Sequence, residues 1–303
     1  MRRLLQVGRT VSDLDGAIAF YRDALGFSFV EEIQIDDPAW GELMGIPGAS
    51  ARTATLRLGE QQIALTAFDP PGRAYPPESR TTDQWFQHLA IVVADMDAAY
   101  ERLCRQPFAA ISEGGPQQLP PNAGSVTAFK FRDPDGHPLE LLHFPAGNGD
   151  AEWQQKPGVF LGIDHSAITV ANADQSIDFY TRLLGFDVAG RSVNTGAEQV
   201  RLDHAPDVCV NVVALEPIEA QTPHVELLGY EWPAGRPVPA GVNPNDILAD
   251  RLVLEIDDLP HLVRILEAEG VEFVSPGIVT LGDGRRSALA RDPTGHLLLF
   301  TQA

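Results

Sequence analysis

The chain has 303 residues, of which 44% are hydrophobic and 21% charged, and its formal net charge at pH 7 is −20. These values are typical of a globular protein with about two domains of ordinary size. The acidic balance argues against nucleic acid or an anionic membrane as a partner, because both select basic patches. No apolar run approaches the roughly 20 residues of a transmembrane helix and the first residues do not resemble a signal peptide, so we expect a cytoplasmic protein.

The sequence contains an internal repeat, which predicts two homologous halves at 1–146 and 159–303. Phe20-Tyr21 and the later Leu-Gly-Phe at 25–27 return, at the same spacing, as Phe179-Tyr180 and the Leu-Gly-Phe at 184–186. A second motif, Arg-Asp-Pro-x-Gly-His, occupies residues 132–137 and 291–296.

In chain order, each half divides into two units of the pattern β-α-β-β-β. The first unit, 1–70, is predicted to have a strand at 4–11, a helix from the N-cap Asp13 to about residue 25, and strands at 27–33, 51–58 and 62–68. Gly26 suits the left-handed position that ends a helix. Residues 36–50 are predicted to form a loop over a pocket, and 69–84 a linker.

The other three units repeat this order. The second unit, 85–146, is predicted to have strands at 86–93, 108–112, 125–132 and 138–144 and a helix at 95–106. The third unit, 159–232, is predicted to have a helix at 173–184 and strands at 161–170, 186–193, 197–203, 208–214 and 224–230. The fourth unit, 248–303, is predicted to have strands at 251–256, 271–275, 285–291 and 296–301 and a helix at 258–269. Residues 145–158 and 231–247 are predicted to be linkers.

These units and motifs resemble the vicinal oxygen chelate superfamily, which includes glyoxalase I, methylmalonyl-CoA epimerase, extradiol dioxygenases and bleomycin resistance proteins. The resemblance covers nearly the whole chain. It implies an α+β fold in which four β-α-β-β-β modules pair into two cup-shaped half-barrels. It also implies that metal ligands come from the first and last strands of a module.

The second and third modules each carry a histidine on the first strand and a glutamate on the last. The pairs are His88 with Glu140 and His165 with Glu226. Because alternate residues of a strand share a face, His88 lies on the face opposite the bulky apolar residues of its strand, which suit packing under a helix. A glutamate inside an apolar strand is costly to bury unless a positive group meets it. The pattern therefore predicts four metal ligands, His88, Glu140, His165 and Glu226, that line one cup.

The outer modules lack this set at the corresponding positions. The first module has Gln6 and Ala64, and the fourth has Arg251, which cannot bind a metal, and Leu299. We favour an arrangement in which the second and third modules share one cup and the outer modules form a metal-free cup.

A rival arrangement pairs neighbouring modules. One cup would then hold Gln6, His88 and Glu140, which approaches a two-His-one-carboxylate iron site with Gln in place of one His. The other cup would place the ligands of the third module opposite Arg251. A homodimer that assembles the four ligands across subunits is a further alternative.

Imidazole and carboxylate ligands together suit a divalent Zn, Ni, Co, Mn or Fe ion. Resemblance to glyoxalase I implies an isomerase or lyase in which this ion polarises a small carbonyl or vicinal-oxygen substrate. Glu140 or Glu226 would then be the catalytic base. Two alternatives stay open, namely an Fe(II) extradiol-type ring-cleaving dioxygenase and a metal-free ligand- or drug-binding resistance protein.

Several other residues receive structural interpretations. His137 and His296 follow glycine and are interpreted as turn residues. Arg251 and Glu255 share a strand face and are expected to pair with each other. Tyr230 and Trp232 are expected to line the active pocket, and covering the pocket is an equal alternative for Trp232 because it lies in a proline-rich segment.

Overall fold

The structure is a computed structural model that describes residues 3–149, 151–219 and 222–302. Residues 1, 2 and 303, at the outer ends of the predicted first and fourth modules, lie outside this part, as does residue 150 in a predicted linker. No helix in the described ranges is long and apolar enough to cross a membrane.

The first two modules each contain six strands and helices of the described chain. The elements of residues 3–70 are β1 (Leu4–Thr10), α1 (Leu14–Leu25), β2 (Ser28–Ile35), α2 (Pro38–Leu43), β3 (Ser50–Leu58) and β4 (Gln61–Asp69). Those of residues 85–146 are β5 (Gln87–Val93), α3 (Met96–Leu103), β6 (Ala109–Ala110), β7 (Gln117–Gln118), β8 (Thr127–Arg132) and β9 (Pro138–His143).

The third and fourth modules follow the same order. The elements of residues 159–232 are β10 (Phe160–Thr169), α4 (Ala173–Asp178) with a π-helical turn (Phe179–Leu183), β11 (Asp187–Thr195), α5 (Ala197–Asp203), β12 (Cys209–Glu216) and β13 (His224–Trp232). Those of residues 248–302 are β14 (Arg251–Glu255), α6 (Leu259–Ala268), β15 (Val279–Thr280), β16 (Arg286–Arg291) and β17 (Leu297–Gln302).

The strands form two large mixed sheets, as expected for two paired half-barrels. One sheet has the order β15-β16-β17-β14-β1-β4-β3-β2, and the other has the order β11-β12-β13-β10-β5-β9-β8-β6, with β7 paired to β8. The first strands of two modules pair antiparallel at the centre of each sheet, β1 with β14 and β5 with β10. The first module therefore shares a sheet with the fourth, and the second with the third, as in the favoured arrangement; the rival pairing of neighbours is wrong.

The two repeated motifs bind each other. The helix motif supplies Tyr21, whose hydroxyl donates a hydrogen bond to Asp133 in the hairpin motif, and Tyr180 donates to Asp292 in the same way. Both tyrosines are fully buried. Each helix thus contacts the hairpin of the following module, which explains why the two motifs recur together.

Helix ends follow the predicted capping pattern. The Asp13 carboxylate accepts a hydrogen bond from the backbone N–H of Gly16, and Gly26 adopts a left-handed φ of 76° at the end of α1. Arg102 of α3 donates to the carbonyls of Arg22 and Asp23 at this helix end. The contact fixes the helix of one half-barrel against that of the other.

The segments 69–84 and 231–247 were predicted as linkers, and they hold the two sheets together. Arg73 Nη2 lies 2.6 Å from a carboxylate oxygen of Asp246, and Arg236 Nη2 lies 2.6 Å from one of Asp83. Both aspartates are buried. The two ion pairs are related by the internal repeat, so the segments cross each other symmetrically.

Several predicted elements differ in the structure. Residues 197–203 form helix α5 and not a strand, because Gln199, Leu202 and Asp203 are buried with helical spacing. The predicted loop 36–50 contains α2, capped by Asp37. The predicted strand at 108–112 is reduced to β6, and the one at 271–275 to an isolated bridge at Phe273.

The cup of the first and fourth modules is filled with apolar side chains. Trp40 of α2 packs against Phe68 with ring centroids 4.9 Å apart, and Leu43 and Leu289 belong to the same buried cluster. Arg251 of β14 also lies in this cup, with its guanidinium 5.5 Å from the centre of the Phe68 ring. This packing leaves the other cup as the candidate for a ligand site.

Candidate metal centre

The four predicted ligands lie on four adjacent strands of the second sheet. His165 is on β10 and His88 on β5, the central antiparallel pair, and Glu226 and Glu140 are on the flanking strands β13 and β9. In the register of the sheet, Ala167 lies opposite His88 and next to Glu226. All four side chains line one cavity of about 310 Å³ within a single chain.

The ligand atoms of three of these residues converge on one point. His88 Nε2 lies 3.1 Å from Glu140 Oε2, His165 Nε2 lies 3.4 Å from His88 Nε2, and His165 Nε2 lies 3.7 Å from Glu140 Oε2. Glu226 approaches from the other side, with Oε2 3.4 Å from His165 Nε2. His165 is thus in reach of all three other predicted ligands.

These separations fit a metal ion. With metal–ligand bonds of about 2.1 Å, neighbouring ligand atoms lie about 3.0 Å apart in an octahedron and about 3.4 Å apart in a tetrahedron. The four distances, from 3.1 to 3.7 Å, lie close to these values. The donor set of imidazole and carboxylate also suits a divalent transition metal. The residues present therefore fit the metal that the fold implies.

Burial and charge act in opposite directions on His88 and Glu140. Burial of His88 lowers its pKa, and the neighbouring Glu140 only partly offsets this effect. Burial of Glu140 would raise its pKa, but His88 and the Lys130 ammonium hold the pKa below its ordinary value. A neutral imidazole and an ionised carboxylate are the protonation states in which these groups bind metals.

His165 and Glu226 form a second coupled pair. Burial would lower the pKa of His165, but the carboxylates of Glu226 and Asp164 raise it to about 9. Burial would raise the pKa of Glu226, but His165 and His224 lower it to about 2. This half of the site carries a strong negative potential, which a bound cation would neutralise.

The sequence analysis missed the residues that support these ligands. Asp164 Oδ2 lies 2.9 Å from His165 Nδ1, and this contact turns Nε2 of the imidazole toward the centre. Asp164, His165 and His224 are a second group whose ligand atoms lie within 4.8 Å of one another. The β-bulge between Ile163 and His165 interrupts the strand alternation, so periodicity gave no signal for Asp164.

Lys130 was missed although the sequence did carry a signal for it. On β8 it alternates with Phe129 and Phe131, which are buried among the core residues, and it lies directly opposite Glu140 of β9. Its Nζ is 2.7 Å from Asp203 Oδ1, and both side chains are buried. A buried ammonium thus lines the cavity close to the predicted ligands.

Several other predictions are wrong. Arg251 donates hydrogen bonds to Thr10 and the Pro244 carbonyl, while Glu255 pairs with Arg3. Trp232 is 58% exposed and does not belong to the cavity wall, whereas Tyr230 lines the cavity as expected.

His137 and His296 are not simple turn residues, because both are buried in hydrogen-bond networks. His137 lies 3.0 Å from Asp133 through Nδ1 and 2.9 Å from the Ile247 carbonyl through Nε2. His296 Nε2 lies 2.8 Å from the Thr169 carbonyl.

The sequence of the chain is similar to those of one described protein family and of one curated enzyme. The model of a family described as the Glyoxalase/Bleomycin resistance protein/Dioxygenase superfamily matches residues 3–141 and 162–300. The 2-epi-5-epi-valiolone epimerase of an Actinomyces species is 36% identical over 163 residues, which are 51% of this chain and 85% of that protein.

Two solved structures are similar over the full length of the chain. Glyoxalase I from Zea mays has a TM-score of 0.65 at 18% identity, covering 100% of this chain and 92% of that one. A putative dioxygenase from Bacillus subtilis subsp. subtilis str. 168 has a TM-score of 0.58 at 14% identity, covering 100% of this chain and 86% of that one. At these identities the similarity concerns the fold alone.

Proposed function

The chain belongs to the glyoxalase/bleomycin resistance protein/dioxygenase superfamily, and we propose that the cup of its second and third modules is a metal-dependent active site that moves a proton at a carbon next to a carbonyl group. The expected reaction is an epimerisation or a related isomerisation of a small substrate. The observation that carries the proposal is the convergence of His88, Glu140 and His165, with Glu226 beside His165, in a cavity of one chain.

His88, Glu140, His165 and Glu226 would hold the metal. A divalent ion bound there would act as a Lewis acid that draws electrons from a carbonyl oxygen and so makes the neighbouring C–H more acidic. His88 and His165 orient the site, since Asp164 fixes the ring of His165.

The two glutamates suit proton transfer from both sides of a substrate. They project from β9 and β13, which flank the central strands β5 and β10. An epimerase removes a proton from one face of a carbon atom and returns a proton to the other face, so it needs a base and an acid on opposite sides. Glu140 and Glu226 occupy such flanking positions, and the relative named as an epimerase supports this choice.

The test combines metal analysis with isotope exchange. The purified protein, loaded with Zn, Ni, Co or Mn, is incubated in D2O with a panel of small α-hydroxy ketones, and deuterium at the carbon beside the carbonyl is followed by NMR. We expect roughly one metal ion per chain, and exchange that falls about 100-fold or more in Glu140→Gln and Glu226→Gln.

Glu255→Gln, on the first strand of the fourth module in the other sheet, is the control and should keep full exchange. Metal content is measured for every variant, which separates loss of the metal from loss of the base. If the protein binds no metal, or if both glutamine variants exchange at the normal rate, the proposal is refuted.

One observation favours a second candidate, an Fe(II) dioxygenase. The mutually convergent set of His88, His165 and Glu140 has the two-His-one-carboxylate composition of non-haem iron oxygenases. Oxygen uptake with catechols after anaerobic loading with Fe(II) tests it directly. Uptake that requires Fe(II) and is lost in His88→Ala would replace the epimerase proposal.

The metal-free binding protein has less support. A metal-free binding protein of this fold would have His88 and His165 hydrogen-bonded to the backbone and aromatic side chains lining both cups. His88 and His165 contact carboxylates instead, and the cavity wall includes Phe144 and Tyr230 among mostly aliphatic and polar residues.

A further inference from the structure

Helix α5 forms part of the cavity wall, to which it contributes Gln199 and Leu202. It belongs to the third module but is fixed to the second. Ser112 Oγ donates to the Leu202 carbonyl, the backbone N–H of Glu113 donates to the Arg201 carbonyl, and Arg201 Nε donates to Gln117 Oε1. The helix is therefore held as a wall of the cup, and its residues can select a ligand.

Asp203, the last residue of α5, organises this wall. Its carboxylate is buried and accepts hydrogen bonds from Lys130 Nζ at 2.7 Å, Gln199 Nε2 at 2.8 Å and the Tyr230 hydroxyl at 2.9 Å. Lys130, Gln199 and Tyr230 all line the cavity. An ionised carboxylate only accepts hydrogen bonds, so all three partners must present donors to it.

This arrangement fixes the orientation of the Gln199 amide. Because Nε2 donates to Asp203, the carbonyl oxygen Oε1 must point elsewhere, and it is buried without a hydrogen-bond partner in the described part of the chain. Asn194 Oδ1, on the same cavity wall, is also buried and unpartnered there. A buried acceptor without a donor is unfavourable, so these oxygens call for a ligand that brings donors.

The nearby charges decide which kind of donor fits. Lys130 carries an ammonium group, whose Nζ lies 2.7 Å from the buried Asp203 carboxylate. A cationic ligand would be repelled by it, whereas a hydroxyl group can donate to an amide oxygen and accept from an ammonium. The cavity, at about 310 Å³, equals about ten water molecules of roughly 30 Å³ each, which suits a single substituted ring.

We propose that Gln199, oriented by Asp203, accepts a hydrogen bond from a substrate hydroxyl group, and that the site takes small polyhydroxylated carbonyl compounds. The inference rests on the proposed function, because it assumes that the carbonyl end of the ligand faces the metal ligands. The Asp203 contact holds Nε2, so Oε1 is the atom of this amide that is left to accept from the ligand.

The test compares two ketones that differ only in hydroxyl groups remote from the carbonyl. Binding of pentahydroxycyclohexanone and of 2,6-dihydroxycyclohexanone to the metal-loaded protein is measured by calorimetry. We expect the pentahydroxy compound to bind at least about tenfold more tightly, and Gln199→Met to remove most of this preference, as loss of one buried hydrogen bond implies. Gln199→Ala, which shortens the side chain, should have the same effect if the methionine variant folds poorly.

Gln117→Met is the matched control, because Gln117 holds Arg201 of α5 without lining the cavity. This change should weaken the binding of both ketones equally and leave the ratio of their affinities unaltered. The inference is overturned if the wild-type protein does not prefer the pentahydroxy compound, or if both Gln199 variants keep the preference. Failure of the proposed reaction would show separately. The protein would then bind no metal or catalyse no deuterium exchange, while still preferring the pentahydroxy ketone.

Discussion

The Nε2 atoms of His88 and His165 lie 3.4 Å apart, although 77 positions separate the two residues in the sequence. Each is buried on the first strand of its module, and the antiparallel pairing of β5 with β10 brings them together. Two imidazole nitrogens at this distance share either a proton or a metal ion. The same pairing brings a carboxylate from each flanking strand into the cup.

The first prediction concerns the metal itself. His88→Ala and His165→Ala each remove a nitrogen ligand, so roughly stoichiometric metal in the wild-type protein should fall to a small fraction of one ion per chain. Elemental analysis after dialysis measures this. His261→Ala, on the exposed face of α6, should retain the wild-type content. Equal metal in all three variants would contradict the assignment.

The second prediction concerns Asp164, which holds His165 in its orientation at 2.9 Å. Asp164→Asn removes the charge and lets the amide present a donor to the ring, so metal affinity should fall about 10- to 100-fold. Competition with a chelator of known affinity measures the change. Asp174→Asn, on the exposed first turn of α4, is the control and should not alter affinity.

The sequence predicted the module pattern and four of the residues that line the site, because the repeat supplied several copies of one alignment. His88 and His165 occupy equivalent first-strand positions, so their recurrence was visible without a structure. Asp164 was hidden by the β-bulge. Gln199 and Asp203 were missed because residues 197–203 were predicted as a strand, whereas contacts with the second module stabilise a helix.

The third prediction concerns a buried ion pair between Arg9 and Asp250, with Nε and Oδ2 3.0 Å apart. Arg9 also donates to the Tyr21 hydroxyl and to the Pro138 carbonyl, so it connects three modules. Arg9→Met leaves the Asp250 carboxylate buried without its cation and should lower the free energy of unfolding by about 3–5 kcal/mol. Urea denaturation followed by circular dichroism measures it.

The surface pair of Arg52 with Glu32 provides the comparison for that measurement, since the two side chains are 44% and 32% exposed. Arg52→Met should change the unfolding free energy far less than Arg9→Met, because water screens exposed charges. Similar losses in the two variants would argue against the stabilising role of the buried pair.

The fourth prediction concerns pH and His137. Both of its ring nitrogens face acceptors, Asp133 and the Ile247 carbonyl, and the buried ring is protonated more readily than usual. Burial would lower the pKa of His137, but Asp133 and Asp250 raise it above 6.5. Its contribution to stability is therefore complete below pH 6.5 and is lost as the pH rises through the higher pKa of the folded state.

Asp133 limits the same contribution at low pH. Burial would raise its pKa, but His137 and Arg9 lower it below 3.8, so stability from this carboxylate is lost as the pH falls through the pKa of the folded state. Urea titrations of the wild-type protein from pH 4 to 9 should show a decline above about pH 6.5 that His137→Gln reduces. His261→Gln should keep the wild-type profile, and an unchanged profile in His137→Gln would refute the role of the pair.

The fifth prediction tests whether the two cups act independently. Trp40 and Phe68 fill the cup of the first and fourth modules, with ring centroids 4.9 Å apart, while the predicted metal ligands lie in the other sheet. Trp40→Ala should lower the free energy of unfolding by about 3–5 kcal/mol through the cavity it creates. The folded variant should still bind metal as tightly as the wild-type protein. A parallel loss of metal affinity would mean that the packing of the apolar cup also determines the geometry around His88 and His165.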